Sequence, residues 1–146
     1  MPEELEDKPR KLDRAMVESW LEAYVDAWKS YDPAAIENLF SSEAIYRYHP
    51  YDAPVQGRDA IVASWLADRD AAGTYDGHYQ TILLEGDRAA ASGRSLYFEA
   101  DGVTPRAEFY NLFLLGFDQD GRCADFCEWY MERPEASQTF TAGEKQ

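Results

Sequence analysis

An acidic residue among aromatic side chains, close to the end of the chain, is the first candidate for chemistry. In the stretch 126–130, Phe126, Glu128 and Tyr130 fall on one face of a β-strand because strand side chains alternate. A carboxyl group that loses water among aromatic neighbours has a raised pKa and becomes a usable proton donor. The alternative is a surface glutamate that pairs with an arginine across the sheet.

A histidine beside two tyrosines forms the second candidate group. His49 precedes a proline and follows Tyr46 and Tyr48. A histidine with an unperturbed pKa of about 6.5 can act as a base near neutral pH. Tyrosine hydroxyls can donate to an oxyanion as it develops, so the group fits enolisation, dehydration or cyclisation. The alternative is that these rings pack against the first helix as loop aromatics.

The remaining polar candidates have weaker support. Glu99 and Tyr97 lie near the end of a predicted strand, and the alternative to a role for Glu99 is an exposed position beside Asp101. Cys123 and Cys127 would stand about 13 Å apart on a strand, which is beyond disulfide reach. Two cysteines and two histidines without a pairing motif do not predict a zinc site. No glycine-rich phosphate loop or nucleophile-elbow motif is present, so we assign neither a metal nor a cofactor.

The first element is a predicted helix that begins after Asp13. Its apolar residues recur at three- and four-residue spacing and form one stripe. Trp20, Tyr24 and Trp28 lie on this stripe, and Trp65 lies on the third predicted helix. Aromatic residues at helical spacing are more typical of a hydrophobic core and a pocket wall than of a cofactor-binding motif. A short second helix is predicted from Asp32 to about residue 40, and a third between Gly57 and Gly73.

After Gly73 the apolar period changes from 3.6 to 2. An earlier short strand is predicted over 44–48, and four further strands over 75–84, 88–99, 106–117 and 122–132, separated by turn signals. Strands joined by short turns form an antiparallel meander. The predicted fold class is therefore α+β, with helices first and a curved sheet after. Apolar residues occur at both parities of the last two strands, which predicts either a dimer interface or a cavity.

The length of the chain and its net charge limit the number of domains and the classes of partner. The 146 residues fit one domain, predicted over 13–133 between a polar lead (1–12) and a polar tail (134–146). The net charge of −14 disfavours nucleic acid and an anionic membrane surface as partners. No apolar run reaches the length of a membrane-spanning helix, and the charged first residues do not form a secretory signal. A cytoplasmic location is the prediction.

Four stretches in a characteristic order carry a resemblance to a known family. The first stretch is the aromatic first helix with residues 31–33 and 39–40 after it, and the second is 43–46 with 49–50. The third is the helix start at 57–61 with Trp65, and the fourth is 117–122 with 126–131. Together they resemble the SnoaL-like branch of the nuclear transport factor 2-like superfamily. The resemblance implies a cone, in which a bent sheet wraps the long helix and leaves a pocket at the wide end. Many members dimerise through the outer sheet face.

The superfamily includes limonene epoxide hydrolase and ketosteroid isomerase, and it also includes non-catalytic binding proteins. The resemblance places Glu128 where the hydrolase carries a catalytic aspartate, and His49 where the isomerase carries its general base. It places Tyr97 and Glu99 at the hydrolase's Arg-x-Asp pair, so the bridging arginine is missing here. The resemblance therefore does not imply the complete hydrolase trio.

These observations predict a pocket protein for a small hydrophobic molecule. If it is an enzyme, Glu128, His49 and Glu99 are its predicted catalytic residues. The predicted ligand-binding residues are aromatic: Tyr46, Tyr48, Tyr97, Trp20, Tyr24, Trp65, Phe126 and Tyr130. The alternatives are a non-catalytic carrier of a hydrophobic ligand and a dimeric interaction protein without a useful pocket. Fold alone does not choose among them.

Overall fold

The computed structural model describes residues 11–134. In this range the chain forms three helices and six strands: α1 (Arg14–Ser30), α2 (Pro33–Glu37), β1 (Phe40–Arg47), β2 (Val55–Gln56), α3 (Arg58–Ala67), β3 (Tyr75–Glu85), β4 (Arg88–Phe98), β5 (Pro105–Phe117) and β6 (Cys123–Glu132). The strands form one curved sheet in the order β2-β1-β6-β5-β4-β3. The predicted α+β class, with a long first helix on a curved sheet, is confirmed.

Strands β3 to β6 form the antiparallel meander that the turn signals predict. Strand β1 adds to it in a way that the sequence does not indicate, because it pairs with β6 in parallel. The pairing places Tyr46 opposite Phe126 and Arg47 opposite Cys127. The loop after β1 therefore starts beside the second half of β6, which brings His49 close to the strand that carries Glu128.

Helix α1 is fixed at both ends by local chemistry. Asp13 accepts a hydrogen bond from the backbone N–H of Met16 (2.8 Å), as expected of an N-cap. At the other end Tyr31 adopts a left-handed conformation (φ 53°) and its N–H closes the last turn on the carbonyl of Ala27. Glu18 accepts hydrogen bonds from the backbone N–H and the hydroxyl of Thr81, so the helix is also tied to the edge strand β3.

Two predicted helix ends are wrong. Helix α2 ends at Glu37, and residue 40 already belongs to β1. The carbonyl of Leu39 accepts from the indole of Trp20 and from the backbone of Cys123, so the chain here is extended toward the sheet. Helix α3 ends at Ala67, because Asp68 leaves helical geometry (φ −138°), and Gly73 lies six residues beyond that end.

The two faces of the sheet have different environments. The inner face packs on the helices and contributes Phe113, Leu115 and Phe126 to the core. The outer face of β5 and β6 is solvent-exposed but apolar. Its exposed large side chains are Tyr110, Leu112, Leu114, Trp129 and Met131. This outer apolar face is the surface for which the sequence predicts a dimer interface.

Gly93 allows the edge strand β3 to approach β4 closely. A Cβ atom at this position would lie 1.9 Å from the carbonyl oxygen of His78 and 2.6 Å from Cα of Tyr79. Both atoms belong to the backbone and cannot turn aside. We therefore expect Gly93→Ala to lower the free energy of unfolding by about 2–4 kcal/mol, measured by urea denaturation.

Gly116→Ala is the matched control for this prediction. Gly116 is also a strand glycine, but its Cβ would meet only the Cβ of Asp125, at 3.3 Å, and the guanidinium of Arg88. A loss within about 1 kcal/mol is expected there. Equal losses for the two variants would show that close backbone approach is not what Gly93 provides.

Candidate functional site

A cavity of about 580 Å³ lies between the helices and the inner face of the sheet. Its size suits a ligand of small-molecule dimensions. It is lined by Tyr24, Trp28, Tyr48, His49, Ser64, Trp65, Asp68, Asp70, Tyr75, Tyr79, Ser95, Tyr97, Arg106, Phe109, Asn111, Glu128 and Tyr130. Most of these side chains are aromatic rings that carry a polar group at the edge.

Stacked rings hold the aromatic wall in place. The indoles of Trp28 and Trp65 stack with their centroids 4.0 Å apart and an interplanar angle of 16°. Tyr24 meets Trp65 edge to face at 5.6 Å and stacks on Phe126 at 5.7 Å. Tyr48 donates to or accepts from Ser64 at 2.8 Å, which fixes its ring beside α3. The wall is therefore preformed, because its rings are held by one another rather than by a ligand.

Glu128 is the central carboxyl group of the cavity. Its Oε2 accepts a hydrogen bond from the side-chain amide of Asn111. Among the described residues no side chain donates to Oε1, and this oxygen is not sealed off from solvent. One carboxyl oxygen is thus held by the protein and the other is free to meet a ligand.

Burial raises the pKa of Glu128 to about 7, against the smaller opposing effects of the Asn111 hydrogen bond and of His49. The ordinary value for a glutamate is near 4.5. Both the protonated and the ionised forms are therefore well populated near neutral pH. A group in this state can either give or take a proton, as general acid–base catalysis requires.

A chain of hydrogen bonds fixes the amide that holds Glu128. Ser95 donates to the amide oxygen of Asn111 (2.9 Å), so its only hydrogen is used. Tyr79 must then donate to Ser95 (2.5 Å), and Tyr75 must in turn donate to Tyr79 (2.9 Å). This direction leaves the NH₂ group of Asn111 to point at Glu128. The chain runs across β3, β4 and β5 and fixes which face of the amide the carboxyl group meets.

His49 has both ring nitrogens engaged. Its Nδ1 lies 2.7 Å from a carboxylate oxygen of Asp52, and its Nε2 lies 2.9 Å from the hydroxyl of Tyr130. His49 and Tyr130 line the cavity together with Glu128. The loop after β1 and the end of β6 thus supply a second polar group at the cavity mouth.

The structure brings most of the predicted site residues together. Seven of them line the cavity, namely Glu128, His49, Tyr24, Tyr48, Trp65, Tyr97 and Tyr130. Three lie in the core behind its wall instead: Trp20, Tyr46 and Phe126. These rings support the wall; Tyr46, for example, stacks on Phe126 with centroids 4.3 Å apart. Glu99 is exposed just after β4 and does not line the cavity, because its backbone N–H bonds to Thr104 in the following turn.

Sequence reasoning missed Asn111, Ser95 and Asp52. Asn111 is 3% exposed and lies between Phe109 and Phe113 on the inner side of β5. A polar residue at an apolar position of a period-2 pattern is the signal that could have found it. Asp52 leaves no such signal, because only the fold of the loop brings it to His49.

Charged groups at the cavity mouth have both signs. Asp68 and Asp70 follow α3, and Arg106 lies with its guanidinium carbon 5.5 Å from the ring centroid of Tyr97. Within residues 11–134 no three histidine, cysteine or acidic side chains are grouped so as to hold a metal ion. The helices in that same range are all too short or too polar to cross a membrane.

Comparisons with known proteins agree with this architecture. Residues 21–126 match the SnoaL-like domain. A candidate polyketide cyclase from Sinorhizobium meliloti superposes with a TM-score of 0.58 at 21% identity, covering 81% of this chain and all of that one. An NTF2-like protein of unknown function from Burkholderia xenovorans gives a TM-score of 0.63 at 14% identity, covering 88% and 97%. A comparison with curated proteins gives no match.

The two solved structures share the fold, and at these identities they show nothing beyond it. The domain match covers most of the chain, including most of α1 and β6 as far as Phe126. The resemblance to the SnoaL-like branch is thereby confirmed, and the chain belongs to the SnoaL-like family.

Proposed function

We propose that this protein binds a neutral hydrophobic small molecule and carries out cofactor-independent acid–base chemistry on it with Glu128. The observation that carries the proposal is the placement of this carboxyl group. It lies in an aromatic cavity, is held through one oxygen by Asn111, and has a pKa raised by burial to about 7. A carboxyl group serving only solubility would gain nothing from such a site.

The cavity lining supports a planar, uncharged substrate. Stacked indole and phenol rings offer flat apolar surfaces, while tyrosine hydroxyls at their edges can bond to substrate oxygens. Three carboxyl groups line the cavity against one arginine. This balance disfavours a strongly anionic substrate.

The reaction classes that fit are isomerisation, dehydration and cyclisation. Each moves a proton between carbon and oxygen and needs an acid, a base and hydroxyl donors rather than a cofactor. Burial raises the pKa of Tyr79 to about 12 and that of Tyr97 well above the usual value, so both stay neutral donors. Epoxide hydrolysis of the Arg-bridged type is less well supported, since Tyr97 stands where the bridge would lie and Glu99 is outside the cavity.

The test is a screen of planar cyclic ketones and phenols against the wild-type protein and Glu128→Gln. Binding is followed by the fluorescence of Trp28 and Trp65, and conversion by mass spectrometry and NMR. We expect both proteins to bind the same compounds and only the wild type to convert one. Conversion by Glu128→Gln at the wild-type rate would refute the role of Glu128.

A non-catalytic carrier is the second candidate, and the preformed aromatic wall is the observation that favours it. A wall held by ring stacking needs no catalytic residue to bind a ligand. Tight binding by wild type and Glu128→Gln alike, with no product after long incubation, would support this candidate over the enzyme.

We also propose that the protein forms a homodimer through the outer apolar face of the sheet. This face carries exposed apolar side chains on adjacent strands, with Leu112 directly opposite Trp129. Many members of the superfamily that this chain resembles dimerise through the outer face of the sheet. A cytoplasmic location stays a prediction of the sequence.

Leu112→Glu is expected to weaken the dimer by roughly 100-fold, because it places a charge at the centre of the outer apolar face, which the dimer would bury. Light scattering and sedimentation across a micromolar concentration series measure this change. Leu83→Glu is the control, since Leu83 is also an exposed leucine (68%) but lies on the edge strand β3. A wild-type monomer at all these concentrations would refute the dimer.

A further inference from the structure

Three side chains form a hydrogen-bonded line from the surface into the cavity. Asp52 lies 2.7 Å from Nδ1 of His49, and the hydroxyl of Tyr130 lies 2.9 Å from Nε2. Asp52 and His49 come from the loop between β1 and β2, whereas Tyr130 comes from β6. Side chains that are distant in sequence therefore converge on one path.

The chemistry of the three groups fixes the direction of the hydrogen bonds. A carboxylate only accepts, so Nδ1 of His49 carries a hydrogen and donates it to Asp52. The neutral ring then has a lone pair on Nε2, which accepts the hydrogen of the Tyr130 hydroxyl. Histidine is therefore not free to touch a ligand through either nitrogen. His49 and Tyr130 both line the cavity, and the phenolic oxygen of Tyr130 keeps lone pairs with which it can accept a hydrogen bond from a ligand.

The line also connects the cavity with bulk water. The side chains of His49 and Asp52 are 45% and 43% exposed, and Tyr130 lines the cavity. Tyr130 lies two residues after Glu128 on the same strand face, so their Cα atoms are about 6.7 Å apart. Two proton-transfer groups thus stand side by side, one enclosed and one open to solvent.

We propose that Tyr130, His49 and Asp52 form a proton relay in which Tyr130 contacts the substrate, His49 accepts its proton and Asp52 positions the ring. This inference rests on the proposed function and assigns the partner of Glu128 to Tyr130 rather than directly to His49. It also names the substrate group, an enol or other hydroxyl oxygen placed within reach of the Tyr130 hydroxyl.

The proton transfers balance along the line. The substrate hydroxyl gives its proton to the oxygen of Tyr130 as the phenolic hydrogen moves to Nε2 of His49. The substrate oxygen becomes negative, Tyr130 stays neutral, and His49 becomes an imidazolium beside the carboxylate of Asp52. Glu128 delivers a proton to the substrate carbon, which yields the keto form. The exposed imidazolium then returns its proton to water, and the ionised Glu128 takes up a proton from water in the open cavity, which restores both groups.

The first test reads the histidine tautomer and needs no substrate. The chain has two histidines, so His78→Gln leaves His49 as the only imidazole signal. In ¹⁵N NMR of this variant at pH 8.5 we expect the hydrogen on Nδ1. Adding Asp52→Ala should move it to Nε2, because the acceptor that holds it is gone. Hydrogen on Nε2 in the presence of Asp52 would overturn the relay.

The second test measures the reactivity of Tyr130 toward an arylsulfonyl fluoride. The phenolic oxygen attacks sulfur, the S–F bond breaks, fluoride leaves, and the phenolic proton passes to Nε2 of His49. Peptide mapping should show Tyr130 labelled faster than Tyr51 and Tyr110, although both are more exposed (99% and 60%). His49→Gln should slow labelling of Tyr130 about tenfold or more and leave the other two unchanged.

Failure of the relay and failure of the proposed function give different results. If Tyr130 reacts no faster than Tyr51 and Tyr110, the relay is wrong. The loss of conversion in Glu128→Gln would still stand. If the labelling and the tautomer are as expected but no conversion depends on Glu128, the relay is supported and the acid–base function of Glu128 is refuted.

Discussion

Glu128→Gln is expected to make the protein more stable at pH 8.5 by about 3 kcal/mol and to change its stability at pH 5 by less than about 1 kcal/mol. The folded-state pKa of Glu128 is about 7, against 4.5 for an unperturbed glutamate. Between these two values the unfolded chain loses this proton while the folded chain keeps it. The protonated Glu128 therefore contributes fully to the free energy of unfolding below about pH 4.5. This contribution falls as the pH rises toward 7 and is absent above pH 7.

Glutamine mimics the protonated carboxyl group, so the variant does not experience this loss. Its side-chain oxygen can still accept the hydrogen bond from Asn111. Urea denaturation at the two pH values measures the effect. Glu99→Gln controls for the change in net charge, because Glu99 is exposed and outside the cavity. A gain for Glu128→Gln of the same size at pH 5 and pH 8.5 would show that ionisation is not its cause.

The same substitution should reduce turnover by a factor of roughly 10²–10⁴, the usual contribution of a positioned acid or base. A protein that becomes more stable and less active by one isosteric change holds its carboxyl group at a cost, which is typical of functional sites. The pH profile of the wild type should have a limb near pH 7 that the variant lacks. The limb ascends if Glu128 acts as a base and descends if it acts as an acid.

Period and turn chemistry are enough to predict the meander and the long first helix. The shared face of Phe126, Glu128 and Tyr130 follows from the strand period alone, and the regular pairing of these residues with β5 agrees with it. The ends of α2 and α3 are not predictable in the same way. Residues 39–40 are drawn into the sheet by hydrogen bonds to Trp20 and Cys123, and these partners are distant in sequence.

The site is predictable only where its residues share an element. Glu128 and Tyr130 are two residues apart on one strand, so their position on the same face follows from the strand period. His49, with Asp52 bound to it, contacts Tyr130 because β1 pairs with β6 in parallel. No local sequence pattern predicts a parallel pairing of strands that are distant in sequence. The resemblance alone places Glu99 with the others, and the structure instead shows the alternative, an exposed residue just after β4 that does not line the cavity.

Asn111→Leu is expected to lower the free energy of unfolding by about 3 kcal/mol at pH 8.5 and by clearly less at pH 5. Leucine has nearly the shape of asparagine but removes the donor that holds Glu128 and the acceptor for Ser95. A buried carboxylate without its hydrogen bond is costly, whereas the protonated form loses less. Since the Asn111 bond opposes the effect of burial, its removal should raise the pKa of Glu128 further above 7.

The pH-dependent part of this loss belongs to one pair of side chains and can be isolated. In the Glu128→Gln background, Asn111→Leu should cost the same at both pH values, because no group in the pair ionises. Carboxyl ¹³C NMR of Glu128 reports the pKa directly in the single variant. A loss independent of pH in the wild-type background would mean that Asn111 stabilises the sheet through Ser95 alone. A pH-dependent loss that disappears with Glu128 would show that Asn111, held by the hydrogen-bond chain across β3, β4 and β5, lowers the proton affinity that burial gives to the central carboxyl group.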